Sequence, residues 1–187
     1  MTYVTYKRTS WIKYIVIGAL LVAGGVAGWY YKTHVAEGIY SYEPSIDRAF
    51  ILDLFKKDWY WLISDYSPDY SPEYMLDNRA SSNEPKYIGN LSIKTYRKEG
   101  RPIGFIAYYM KELFEGYILF LAVSKEFRGQ GHARKLFSYA VDDLKKRGAT
   151  VIRLITRTDN VRGRKLYTGM GFNQIWTDGA YVKYEKK

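Results

Sequence analysis

Cysteine is absent from the 187-residue sequence, and histidine occurs only at His34 and His132. No disulfide, thiolate nucleophile or cysteine-ligated zinc can therefore form, and two histidines do not build a histidine-rich metal site, so no metal is expected. Acidic residues are also few, 19 against 29 basic ones, for a net charge of +10. Lys7, Arg8, Lys13 and Lys32 precede the first acid, Glu37, so four of those charges belong to the first 32 residues and residues 33–187 carry the other +6. The excess suits an anionic ligand and also nucleic acid. Aromatic residues fall at core spacing and no base-stacking motif is visible, so nucleic acid is not expected as a partner. What the chain does have is apolar substance: 47% hydrophobic residues suffice for a core in one domain with an appendage.

Charge is missing altogether from Tyr14 to Tyr31, "YIVIGALLVAGGVAGWYY". Eighteen helical residues cover roughly 27 Å of hydrocarbon, which predicts a transmembrane helix over 14–31 after a tail of residues 1–13. Trp11, Tyr14, Trp29, Tyr30 and Tyr31 mark its ends with rings that prefer the interface, and Lys13 and Lys32 bracket it. A signal peptide and a buried core helix are the alternatives. The aromatic cluster in place of a small-x-small cleavage site argues against the first. Gly24 and Gly28 form a G-x-x-x-G spacing compatible with a helix-packing or homodimer face.

Beyond Lys32 no low-complexity linker interrupts the chain, and residues 33–187 read as one domain. "SIDRAFILDLFKKDWYWLIS" (Ser45 to Ser64) predicts an amphipathic helix capped by its serine, with Ile46, Phe50, Leu54 and Trp61 on one face. A proline-rich tandem, "DYSPDYSP", follows as a loop that exposes Asp65, Asp69 and Glu73. Residues 90–100, 101–112 and 115–124 predict three successive antiparallel strands separated by Glu-Gly-type turns. "ARKLFSYAVDDLKKRGA" then places Leu136, Phe137, Ala140, Val141 and Leu144 on one helical face and closes on Lys145, Lys146, Arg147 and Gly148, good last-turn and C′ chemistry. "TVIRLITR" predicts a buried strand, completing a β-α-β unit whose strands should be parallel neighbours.

The strand-to-helix junction of that unit is "EFRGQGHARKLF", Glu126 to Phe137. Unpaired N–H groups and the positive end of the helix dipole favour an anion there, and Gly129 and Gly131 permit close approach of the backbone. A purely structural tight turn is the other reading. The Walker pattern is absent, and the dinucleotide fingerprint fails because Arg134 stands where its third glycine or alanine is needed.

Arg128-Gly129-Gln130-Gly131-His132-Ala133 resembles the Arg/Gln-x-x-Gly-x-Gly/Ala signature of the GNAT superfamily of acetyl-CoA-dependent N-acetyltransferases. "TRTDNVRGRKLYTGMGF" resembles its second signature, in which an asparagine opens a helix that carries a tyrosine and ends at Gly-Phe, here Asn160, Tyr167, Gly171 and Phe172. The likeness runs from about Ile39 to Tyr184 and fades toward the N-terminal half. It implies an α/β fold, a GNAT-like mixed sheet of about six or seven strands with helices on both faces. It also implies acetyl-CoA as cosubstrate. Its pyrophosphate would rest on the N–H groups of Gly129, Gln130, Gly131, His132, Ala133 and Arg134, with charge added by Arg128 and Arg134. The His132 side chain, at a variable position of the signature, is expected in solvent. Backbone groups of Leu121 and Val123 would pair with the pantetheine arm, and Asn160 would hydrogen-bond it, a role compatible with that of an ordinary N-cap.

Tyr167 is by the same resemblance the general acid for the departing thiolate, a packed tyrosine being the plainer reading. The general base is not supplied by the pattern. A lysine-type amine needs about 4 kcal/mol to be neutral at pH 7.4, and Tyr117 stands where some members carry a glutamate. Glu115, two residues earlier, shares that face if the strand extends so far, while Glu112, Asp65 or Asp69 could act through water. The sequence thus points to a single-pass membrane protein that acetylates a primary amine, with residues 14–31 in the lipid bilayer. The charge bias around the span favours a cytosolic N-terminus; the need for acetyl-CoA places the domain itself in the cytosol or the mitochondrial matrix. The alternative is a noncatalytic GNAT-like subunit serving as an interaction module in a membrane complex.

Overall fold

The computed structural model describes residues 36–82 and 89–187; the tail of residues 1–13 and the apolar run 14–31 lie outside the described residues. Among the described residues no helix is long and apolar enough to cross a membrane.

The elements in chain order are β1 (Gly38–Ser41), α1 (Pro44–Leu62), α2 (Pro72–Asn78), β2 (Ser92–Lys98), β3 (Arg101–Glu112), β4 (Glu115–Val123), α3 (His132–Lys146), β5 (Val151–Arg157), α4 (Val161–Gly169), β6 (Asn173–Asp178) and β7 (Tyr181–Lys186). The strands form one seven-stranded sheet in the order β1-β2-β3-β4-β5-β7-β6. Only β4 and β5 are parallel, joined through α3; the other neighbours are antiparallel. The predicted mixed sheet with helices on both faces is therefore present.

The long strand β3 shows how the two faces divide. Ile106 and Tyr108 join α3 and Tyr167 of α4 in one core, while Phe105, Ala107 and Tyr109 join α1 and α2 in the other, as a period of two requires; Ile103 joins the first core out of step, at the bulge where Tyr96 faces Gly104 and Arg97 faces Pro102. Helix α3 buries Leu136, Phe137, Ala140, Val141 and Leu144, the face the sequence predicts. Its C-terminus closes with Ala149 N–H on Leu144 O and Gly148 N–H on Lys145 O, both at 3.0 Å, with Gly148 at φ +97°. This is the paired-bond C-cap that a glycine at C′ permits.

Helix α1 differs from expectation in cap and face. Its N-cap is Glu43 rather than Ser45, with Pro44 at the first helical position, and the Asp47 carboxylate accepts from the Glu43 N–H at 2.8 Å. Its buried residues are Asp47, Ile51, Leu54 and Phe55, whereas Ile46 and Trp61 are exposed. The buried stripe is displaced because Asp47, fully buried, receives Arg97 Nη2 at 2.7 Å and Nε at 3.1 Å. An ion pair so deep must be satisfied by both partners, and it occupies a position that periodicity reserves for an apolar side chain. The helix also kinks at Asp58, whose φ of −115° and ψ of 25° are non-helical.

Candidate active site

Strands β4 and β5 pair only over Glu115–Tyr117 against Val151–Arg153, although β4 runs on to Val123 and β5 to Arg157. Beyond Tyr117 they diverge. A bulge begins the divergence: Ala107 faces Phe120 and Tyr108 faces Ile118, so Leu119 has no opposite residue on β3. Bulges of this kind re-aim a strand. Further along, Ser124 N–H donates to Ile103 O at 2.9 Å. By alternation, Val123 and Leu121 turn their backbone groups away from β3 and into the gap. Both of these sequence-predicted residues therefore lie where an extended ligand could add as a strand, but the Val123 carbonyl already accepts from Arg128 Nε at 2.8 Å.

At the open end of the gap lies the glycine loop. Gly129 and Gly131 take φ of +79° and +85°, and Gly131 is the N-cap of α3 with no side-chain capping bond. None of the N–H groups from Gly129 to Arg134 donates to a backbone carbonyl; the first such bond is Lys135 N–H to Gly131 O at 3.1 Å. Gly129, Gln130, Gly131, His132, Ala133 and Arg134 thus present consecutive unpaired donors at the positive end of a fifteen-residue helix, the arrangement suited to a diphosphate. A Cβ built on either glycine meets no atom within 4 Å, so the loop is open on its outer side. The Gln130 side chain bonds back to Glu126 O at 3.1 Å and so braces the turn.

The two arginines differ in their engagement. Arg128 is partly engaged: Nε donates to Val123 O and Nη2 binds the Asp58 carboxylate, which ties the loop to the α1 kink and leaves Nη1 for a ligand. Arg134 is exposed, with only a long bond of 3.4 Å to Gly169 O and a contact of 3.0 Å to the Met170 sulfur, so most of its donors remain available. The His132 side chain is buried rather than solvated. It packs 4.7 Å from the Tyr96 ring, both its nitrogens lack partners, and burial lowers its pKa. Opening α3 turns it inward against β2.

On the α1/α2 face, beside the gap, is a cavity of about 600 Å³ walled by Trp61, Tyr66, Asp69, Tyr117, Trp176 and Tyr181 among others. Asp69 is the one carboxylate among its described lining residues. One wall is held by Arg157, which sequence reading passed over. This guanidinium binds Asp65 at 2.6 and 2.9 Å and Tyr60 O at 2.6 Å, and stacks over the Tyr60 ring at 4.0 Å. Asp65 also receives a backbone-level clamp, its N–H donating to Tyr181 Oη at 2.7 Å. The available signal was an arginine closing an apolar strand opposite an acidic loop. Glu115 does not line the cavity. It starts β4 at the closed end of the gap, where Arg153 binds its carboxylate and Lys111 lies 3.9 Å away.

Residues 49–172 match the sequence profile of the acetyltransferase (GNAT) family. The chain belongs to the GNAT family. N-alpha-acetyltransferase 30 of Schizosaccharomyces pombe is 47% identical over 57 residues, 30% of this chain and 38% of that protein. The ribosomal protein bS18 alanine N-acetyltransferase of Haemophilus ducreyi is 40% identical over 63 residues, 34% of this chain and 43% of that protein. The matched stretches thus span well under half the length of these relatives. PaiA N-acetyltransferase of Thermoplasma acidophilum, solved with coenzyme A, superposes with a TM-score of 0.62 over 82% of this chain and 99% of its own, at 22% identity, which establishes likeness of fold.

Within this GNAT fold, Asn160 caps α4, its Oδ1 accepting from Gly163 N–H at 3.0 Å, and its Nδ2 donates to Thr156 Oγ1 at 2.9 Å. One amide hydrogen remains for a ligand. Tyr167 packs against Phe137 at 5.3 Å and Tyr184 at 5.8 Å, and its hydroxyl lies beside Thr156, a cavity-lining residue. Burial pushes its pKa up to about 12 despite the opposing effect of Thr156. Asn160 and Tyr167 thus converge on one hydroxyl at the edge of the gap. Tyr117 is likewise pushed well above the ordinary phenol value, chiefly by burial.

Proposed function

We propose that the chain is an N-acetyltransferase that moves the acetyl group of acetyl-CoA to a primary amine by direct attack. One observation carries the reading: the unpaired N–H groups of the glycine loop lead through the divergence of β4 and β5 to a cavity on the opposite side of the sheet. A diphosphate on the loop directs a thioester arm into the gap, and an amine reaches it from the cavity. The amine nitrogen bonds to the thioester carbon, the carbon–sulfur bond breaks, and the sulfur leaves with the electron pair. A backbone N–H in the gap stabilises the oxyanion, a contribution of about 3 kcal/mol. Tyr167 supplies the proton that the sulfur takes up. Its high pKa keeps it protonated at neutral pH, although donation to a thiolate of pKa near 8.5 runs uphill by roughly three units unless the sulfur is equally dehydrated. The proton lost by the amine goes through water to Asp69.

The apolar run 14–31 supports a single-pass anchor, and the need for acetyl-CoA puts the domain on the cytosolic or matrix side. The presence of Tyr117, rather than a carboxylate, on the cavity wall favours a second reading, a GNAT-like subunit that binds acetyl-CoA without turnover. Calorimetric titration with acetyl-CoA, followed by free-thiol release across a panel of amines and peptide N-termini, decides between them. Binding with thiol release establishes the enzyme; binding without release for any acceptor favours the subunit; absence of binding removes both.

A further inference from the structure

The register of the sheet brings three features to one end. Gly38 pairs with Arg97, Lys98 with Arg101, Gly104 with Val123, and Arg157 with Tyr181. The start of β1, the end of β4 with its glycine loop, and the end of β5 with the cavity mouth therefore share that end, while the β3–β4 turn lies at the other. Glu37 is fixed there by Tyr96 Oη at 2.7 Å and by Lys135 Nζ at 4.0 Å, in the first turn of α3. Between Tyr31, the last residue of the uncharged run, and Glu37 are six steps of chain, which reach at most about 22 Å. The cavity mouth at this end exposes Trp61 (46%), Tyr66 (75%) and Trp176 (46%), with Ile175 (47%) beside them. Indole and phenol rings combine an apolar body with a polar tip, the property that concentrates them at the membrane–water interface.

We infer that this aromatic mouth docks on the lipid interface of the membrane that residues 14–31 span. The inference rests on the anchor reading above. The short tether keeps this end of the sheet near the headgroups, and the exposed rings are of the kind that prefers the interface to bulk water. Leu113 and Phe114 in the β3–β4 turn are also exposed, but they lie at the far end of a twelve-residue strand and are flanked by Lys111, Glu112 and Glu115. The acceptor amine then enters the cavity from the headgroup layer.

Because the chain has no cysteine, Ser67→Cys at the mouth and Leu113→Cys at the opposite turn each create a single labelling site in the full chain. Each is coupled to bimane and reconstituted in phosphatidylcholine–phosphatidylglycerol vesicles with plain or brominated acyl chains. The expected result is loss of emission from the label at 67 in brominated vesicles and none from the label at 113. Equal emission at 67 in both lipids, from protein that floats with the vesicles after a carbonate wash and binds acetyl-CoA, overturns the docking and leaves the anchor standing. Loss at 113 rather than at 67 overturns it in favour of the other end. Failure of both proteins to float after the wash overturns the anchor and the docking together. Pro68→Cys, on the same loop, gives an independent probe if the label at 67 impairs acetyl-CoA binding.

Discussion

Asp58, at the break in α1, holds Arg128, the residue that opens the glycine loop. The pairing joins residues 70 apart in sequence and converts an arginine that resembles a phosphate ligand into a brace. Asp58→Ala is therefore expected to lower acetyl-CoA affinity about fivefold, the equivalent of one hydrogen bond near 1 kcal/mol, although Asp58 touches no donor of the cradle. Calorimetry checks it; unchanged affinity would return Arg128 to the role of an independent ligand.

Gly131→Val tests the cradle itself. At φ +85° a β-branched residue is strained by about 1–3 kcal/mol, but its Cβ meets no protein atom. The expected outcome is a modest fall in melting temperature together with loss of acetyl-CoA binding, because the added methyls fill the space above the donors. Retained binding in a folded variant contradicts the cradle.

Tyr167→Phe removes one hydroxyl and keeps the ring packed against Phe137 and Tyr184. General acid catalysis is worth roughly 10²–10⁴-fold, so kcat should fall by at least about a hundredfold with acetyl-CoA affinity unchanged. A change below threefold in steady-state turnover assigns the proton to water.

Asp69→Asn removes the one carboxylate among the described residues of the cavity wall. The expected loss in kcat/KM for the amine is about tenfold or more, the scale of a hydrogen bond to a charged group, with no change for acetyl-CoA. Equal kcat/KM in both proteins means that the base lies elsewhere.

Alkali should unfold the domain along a predictable limb. Burial raises the phenol of Tyr167 to about 12 and also raises those of Tyr70, Tyr108 and Tyr117. In the unfolded chain they ionise near 10, so above that pH the native state retains more protons and stability falls as pH rises. Melting temperature should be nearly level up to about pH 10 and then decline steeply toward 12. A level profile to pH 12 would show these hydroxyls to be reached by water.

Local pattern made much of this legible. Helix α3 carries both a clean apolar period and its glycine punctuation, and the strands of the β2–β4 meander are bounded by turns, so each is decided within a dozen residues. The glycine loop was legible for the same reason. Pairings between distant residues were not. Asp47 and Arg97 are 50 apart and shift the buried face of α1; Arg157 and Asp65 are 92 apart and close the cavity. Glu115 is paired with Arg153, 38 residues away, at the closed end of the gap. Charge pairs are chosen by topology, which no periodicity encodes.

The strand order has a consequence for assembly. β7 follows β6 in the chain but lies inside it, between β5 and β6, so β6 has no place on the sheet until β7 has arrived. The meander, α3 and β5 can condense first through short-range contacts, whereas the C-terminal hairpin must dock as a preformed ribbon or wait for its inner strand. Trp176 and Tyr181 travel with that ribbon. A nascent chain halted at Gly179 would already possess the glycine loop and the parallel pair, yet lack one wall of its cavity: the half that carries the loop can form before the half that closes the cavity exists.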